Sequence, residues 1–224
     1  MKSMLSVPII SVAVLIGDSF GAEKAVAPDL GKIAGGTGWT VHNATAEAAE
    51  VDGKSAVRLK AKADSATGIA GLALAEGVEF TTGVIEIDLK GRSVRPSFLG
   101  VAFNAKDEKT FEAVYFRPFN FKADGEFQGR AIQYIAWPDH TWQKLRKDQP
   151  GQFEGPVRSA PDPETWFHAR VEVGEKQVRV YVNGGKEPCL TADRLLAGGK
   201  SRPVGLFVDT GDGLYAGLKV IPSK

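Results

Sequence analysis

The sequence predicts an all-β chain: a two-sheet antiparallel β-sandwich forming a single domain. Three observations carry that expectation. From about Phe80 onward apolar residues recur with a period of two, the mark of half-buried strands. Gly, Pro, Asn and Asp punctuate nearly every gap between these runs, and the chain holds 26 Gly and 12 Pro. No helical period separates one run from the next, which argues for a sandwich over parallel βαβ units.

Before the strands comes a segment of another kind. Lys2, an apolar run from Met4 to Ile16 and then Ser19-Phe20-Gly21-Ala22 give the charged, apolar, small-residue order of a secretory signal peptide over residues 1–21. The apolar run falls short of the roughly 20 residues a membrane-spanning helix needs. The sequence therefore predicts export to the periplasm or beyond, without a membrane span. Residues 22–34 read as a loose arm, and the sandwich domain is expected over 29–224.

Two weaker strands are expected at Ser55–Lys62 and Gly68–Leu74. The clearest is Val84-Ile85-Glu86-Ile87-Asp88-Leu89-Lys90, with Ile85, Ile87 and Leu89 on one face and Glu86, Asp88 and Lys90 on the other. Further strands are expected at 98–104, 111–117, 131–136, 167–173, 177–183, 204–209 and 215–221. Gly174-Glu175-Lys176, Asn183-Gly184-Gly185 and Asp212-Gly213 read as turns. Only Thr191–Ala197 reads as a short helical turn.

Composition excludes several function classes. Lys and Arg number 28 and Asp and Glu 27, a net charge of +1 that gives no long-range field for nucleic acid. The single Cys189 permits no internal disulfide, and there is no Cys/His cluster for zinc. The near-neutral balance suits an uncharged, hydroxyl-rich partner, a glycan or small saccharide. Nothing in the sequence specifies an oligomeric state.

The strand from Phe80 to Lys90, the run Val114-Tyr115-Phe116-Arg117-Pro118-Phe119-Asn120-Phe121, the segment Trp166–Val173, the strand Val178–Gly184 and the ending at Gly205–Val208 and Tyr215–Val220 resemble concanavalin A-like jelly rolls. Within that group the chain looks most similar to laminin G-like domains and to bacterial 3-keto-disaccharide hydrolase (DUF1080) domains. The resemblance spans about residues 78–221. It implies a two-sheet jelly roll, often secreted and often concerned with carbohydrate, or, as laminin G-like domains can be, an adhesion module that recognises protein.

The same resemblance raises an enzyme reading, a hydrolase or lyase of the 3-keto-glycoside or glucanase type with Glu86, Asp88, Glu112 or Glu154 as acid and base, since family 16 glycoside hydrolases carry a Glu-x-Asp strand followed by a third carboxylate. Here Glu86-Ile87-Asp88 continues into Lys90-Gly91, so the third acid is missing. Glu86 and Asp88 equally suit the solvated face of an amphipathic strand. A partner acid for them would be Glu112 or Glu154.

A second constellation lies between Tyr115 and Arg146. Tyr115 and Arg117 share a strand face, Pro118 ends that strand, and Gln133 and Tyr134 fall on opposite faces of the next one. Aromatic rings against sugar C–H faces, with polar side chains on the hydroxyls, make a saccharide platform. On that logic Tyr115, Arg117, Asn120, Gln133, Trp137, His140, Trp142 and Arg146 are the expected ligand-binding residues. Phe119, Phe121 and Trp137 also suit a core plug. The basic stretch Trp142–Lys147, with Arg130 and Arg158, would suit an anionic sugar or a solvated loop. His168, alone on an outward strand face, reads as structural. Asp209 and Asp212 are the candidate calcium ligands, or simply hairpin residues; no other cofactor is expected.

Overall fold

A computed structural model of the chain describes residues 24–62, 70–196 and 199–223. The expected signal peptide lies outside these described residues, as do Gly68 and Ile69 of the expected second strand. Thirteen strands follow in order: β1 (Trp39–His42), β2 (Ala44–Val51), β3 (Lys54–Ala61), β4 (Gly71–Ala75), β5 (Gly83–Lys90), β6 (Ser97–Asp107) and β7 (Thr110–Phe116). After these come β8 (Ile132–Trp137), the helix α1 (Trp142–Asp148), β9 (Glu154–Gly155), β10 (Phe167–Val173), β11 (Gln177–Val182), β12 (Leu190–Asp193) and β13 (Gly205–Pro222).

The strands form two antiparallel sheets that share β13. In the first sheet β1, β4, the start of β13, β6, β7, β8 and β9 lie side by side. In the second the order is β2, β3, the end of β13, β5, β10, β11 and β12. The expected turn at Asp212-Gly213 is therefore absent, and the two expected final strands are one. A register shift between Asp209 and Gly211 carries β13 from sheet to sheet. The bend needs the positive φ of 91° at Gly211, where a Cβ would meet the Pro96 carbonyl at 2.6 Å.

The alternation read from the sequence places the core. Ile85, Ile87 and Leu89 of β5 and Phe167, Ala169 and Val171 of β10 point inward and are fully buried. From the facing sheet Phe116 meets Phe167 edge-on at 5.1 Å, and Phe121 does the same from the loop after β7. Such pairs add about 0.5–1.5 kcal/mol each beyond their burial. Tyr134 of β8 and Phe103 of β6 stack at 6.2 Å within the same interior.

Three further expectations are corrected. The expected helical turn is not formed over 191–196, its last residue lying outside the described residues: Leu190–Asp193 alternates buried and exposed residues and pairs with β11 as β12. The described part of the expected arm, residues 24–34, is docked: Val26 exchanges both backbone hydrogen bonds with Val220, and Leu30 and Ile33 of a 3-10 turn are buried. Residues 142–148 are helical, because Thr141 caps Lys144 N, Leu145 supplies a buried anchor and Lys144 pairs with Asp148 one turn on. Among the described residues, no helix is long and apolar enough to cross a membrane.

Candidate functional site

Inward-facing residues of β7 alternate with residues on the outer face of the first sheet, and that outer face carries the site. Tyr115 lies there, opposite Gly100 of β6 and Gln133 of β8. The absence of a side chain at Gly100 is required, since a Cβ would sit 2.1 Å from the Val114 carbonyl oxygen. Tyr115 stacks on Phe207 of β13 at 5.1 Å. Its phenol is pushed up to about 12 by complete burial, with the positive charge of Arg117 opposing the rise.

Arg117 is the hub. It donates to the Tyr115 hydroxyl at 2.9 Å, to Gln133 Oε1 at 3.2 Å and to the Arg130 carbonyl at 2.8 Å. Its guanidinium also lies 4.9 Å over the Tyr115 ring and 3.9 Å from the Glu154 carboxylate. Asn120 is buried and donates to the same Arg130 carbonyl at 3.3 Å. Gln133 donates onward to the carbonyls of Tyr134 and Phe153. The Arg117, Asn120 and Gln133 side chains of this floor are thus each held by neighbours, as a preorganised site requires.

The helix α1 forms one wall. Trp142 and Arg146 are four residues apart, share a helix face and stack at 4.7 Å. Arg146 Nε donates to both Glu154 oxygens at 3.1 Å, and its Nη2 donates to Glu154 as well. This bidentate pair clamps the helix to the sheet edge, where β9 pairs Glu154 with Gln133. The opposite wall is the 3-10 turn Pro118–Asn120 and the 3-10 segment Gly125–Arg130. Between the walls lies a cleft of about 170 Å³, with Phe98, Phe119, Phe127 and Asp209 also facing it and Arg95 at its mouth.

The structure therefore brings together Tyr115, Arg117, Asn120, Trp142 and Arg146, with Gln133 and Glu154 bound directly to the floor. Trp137 and His140 stand apart. Trp137 is opposite Phe111, four residues or about 13 Å along β8 from Gln133, and His140 closes the turn after that strand through its backbone. Arg158 lines a separate groove, between residues 121–128 and 156–160. Phe119 faces the cleft while Phe121 is core. Arg95, Phe98 and Phe127 escape the sequence reading. Phe127 offered one signal, an aromatic flanked by Gly125, Glu126, Gln128 and Gly129 that no alternating pattern buries.

The remaining carboxylates lie elsewhere. Glu86 and Asp88 project from the outer face of the second sheet. Lys219 Nζ is 3.2 Å from Glu86, and Arg170 is 4.0 Å away. Asp88 takes hydrogen bonds from Lys54 at 2.6 Å and His168 at 2.8 Å. Glu112 points into the interior, wholly buried, with Arg194, Tyr134 and Asn104 around it. Burial and the Glu112 charge both drive the Tyr134 phenol far above its ordinary value. Asp212 is held by Arg58 at 2.5 Å and Arg92 at 3.5 Å, while Asp209 lines the cleft and accepts from Thr210. Among the described residues, no group of three or more His, Cys, Asp or Glu is placed to hold a metal ion. Cys189 is a buried free thiol.

No protein-family model matches the chain, and no curated protein matches it. Solved structures do match. Carbohydrate-binding module CBM66 from Bacillus subtilis is 13% identical, with a TM-score of 0.54 over 82% of this chain and 96% of that module. A Bacillus subtilis protein with a galectin-like fold is 12% identical, with a TM-score of 0.55 over 91% of this chain and 98% of that one. The exoplasmic/lumenal domain of VIP36, solved in a Ca2+/Man3GlcNAc-bound form, is 10% identical, with a TM-score of 0.52 over 91% and 90%. The fold is a galectin-like, concanavalin A-like jelly roll, as the resemblance implied.

Proposed function

We propose that this protein is an exported carbohydrate-binding jelly roll that takes a saccharide in the cleft between α1 and the Gly125–Arg130 segment. The observation that carries this reading is the union of aromatic rings with a hydrogen-bonded Arg117 and Asn120 floor, held from beneath by Gln133, in one concave site. At about 170 Å³ the cleft is smaller than the roughly 300–1,000 Å³ pockets that enclose drug-sized ligands, so it suits one sugar ring or a chain end. The names of the similar structures support it: one is a carbohydrate-binding module, and another was solved with Man3GlcNAc bound. The order of charges and apolar residues over 1–21 supports export, which mass spectrometry of the native protein checks by finding the mature start near residue 22.

Two other readings have less behind them. Glycoside hydrolysis needs two carboxylates about 5–9.5 Å apart with one able to hold a proton. Glu86, Asp88, Glu112 and Glu154 are each engaged by at least one cationic side chain instead. A protein-docking face needs a contiguous apolar patch. Among the described residues the exposed large apolar side chains are Val26, Val94 and Phe127.

Calorimetric titration of the protein with oligosaccharides selected on a glycan array tests the binding reading. Trp142→Ala and Phe127→Ala should each weaken binding about tenfold or more, equivalent to about 1.4 kcal/mol. Trp137→Ala, outside the cleft, should leave it unchanged. Full affinity in both cleft variants overturns the site.

A further inference from the structure

The cleft holds more positive charge than its carboxylates offset, and the excess sits in one place. Four arginines face it: Arg95, Arg117, Arg130 and Arg146. Arg117 and Arg146 both lean on Glu154, and Arg130 pairs with Glu126 at 2.6 Å. Asp209 is the remaining carboxylate at the cleft. Four guanidinium groups against three carboxylates leave one positive charge.

Arg95 carries it. Among the described residues Arg95 has no carboxylate partner, and its guanidinium lies 4.8 Å over the Phe119 ring and 5.3 Å over the Phe127 ring. Arg130 approaches Phe127 from its own position at 5.6 Å. Phe127 is 43% exposed, an unusual state for a phenylalanine, and it joins the two arginines at the cleft mouth. The rings hold the Arg95 side chain in place without satisfying its N–H donors, because a ring face is no substitute for a carboxylate acceptor. A charged fork already restricted in rotamer loses less entropy on binding an anion, and its planar geometry matches a carboxylate.

We infer that the saccharide is acidic: a ring or chain end bearing one carboxylate, as in a hexuronic acid, with that carboxylate on Arg95 and the ring against Phe127 and Trp142. The inference rests on the saccharide reading of the cleft and adds the charge of the ligand to it. Arg117 and Arg146 hold the floor and wall, donating to Glu154, the Tyr115 hydroxyl, Gln133 and the Arg130 carbonyl. That division leaves Arg95 to recognise the acid.

The test compares charge at constant shape. Hexuronate-terminated oligosaccharides of several epimers are titrated into the full protein beside their uncharged methyl esters and beside sulfated neutral counterparts. At least one acid should bind about tenfold tighter than its ester, the worth of one charge-assisted hydrogen-bonded pair. Arg95→Gln should erase that preference, so that acid and ester bind alike, and Arg95→Lys should keep part of it. Because Arg95 is exposed, these variants keep the fold, which a thermal melt verifies. Equal binding of acid and ester by the native protein, or an unchanged preference in Arg95→Gln, overturns the acidic assignment while neutral binding upholds the saccharide site. Tighter binding of the sulfated sugar than of any carboxylate overturns the carboxylate. Failure of acids, esters and neutral sugars alike overturns the saccharide reading and this inference with it.

Discussion

Asp88 shows how a side chain that looks catalytic in a sequence becomes structural in a fold. Partial burial works to raise its pKa, but hydrogen bonds from Lys54 and His168, with their charges, outweigh that and hold it below the ordinary 3.8. Lys54 also sits 5.2 Å over the Trp166 ring, so the carboxylate is the centre of a small cluster on the outer face of the second sheet. A carboxylate with a lowered folded pKa stabilises the native state above its unfolded pKa, and the contribution disappears as pH falls through the folded value. Denaturant melts of the native protein and Asp88→Asn should therefore differ at pH 6, and the difference should close on acidification below 3.8. The Asp88 side chain is 26% exposed, but its Lys54 and His168 partners are 39% and 42% exposed, so solvent screens the cluster and the effect is small, in the range of surface pairs. A gap that widens on acidification would contradict the assigned pairing. Tyr115 behaves oppositely: with its phenol near 12 it stays protonated at physiological pH and remains a neutral acceptor for Arg117.

At the scale of elements, the strands with one buried face were legible and the pieces that build the cleft walls were not. β5 and β10 announced themselves because Ile85, Ile87 and Leu89, or Phe167, Ala169 and Val171, alternate with charged residues over a full strand. β2 escaped because Ala44–Val51 is mostly Ala, Glu and Thr, too weakly apolar to show a period. The helix α1 is two turns long and buries Leu145 alone, so no 3.6-residue period could form; the Thr141 cap was its one signal. Glu112 was legible as a carboxylate next to the Tyr115 strand face, but alternation sends it inward, and only tertiary structure supplies Arg194, which arrives from just beyond β12. There Arg194 donates to Glu112 at 3.1 Å, to the Thr81 carbonyl at 3.2 Å and to the Gly174 carbonyl at 2.9 Å. Asn104 of β6 and Tyr134 of β8 complete the shell, so one buried carboxylate ties both sheets and two connections together. Replacing one partner of such a pair strands the other charge, at about 3–5 kcal/mol. Glu112→Gln should lose stability of that order in urea melts while the remaining folded fraction keeps its saccharide affinity. Unimpaired stability would show that the network is not the staple described.

The whole molecule adds a constraint that neither residues nor elements reveal. Its 28 basic and 27 acidic residues nearly cancel, which at the level of composition suggested an uncharged partner. The structure separates that total into local pairings, many of them within a few ångströms on the same sheet face. A surplus of one guanidinium at the cleft mouth is invisible in the sum, yet it decides which ligand is preferred. The two levels have different kinetic signatures. Long-range steering, which accelerates association by roughly 10–1,000-fold, needs a field extending beyond the Debye length, and a near-neutral surface does not supply one. A single contact pair instead acts after encounter, on the rate of escape. Stopped-flow association with an acidic oligosaccharide should therefore change by less than about threefold as the Debye length shrinks from about 10 Å at 0.1 M salt to about 3 Å at 1 M. Dissociation should accelerate over the same range in the native protein and much less in Arg95→Gln. A steep fall in the association rate would mean that the protein gathers its ligand by an extended field, and that the pairings on its surface fail to cancel as their geometry implies.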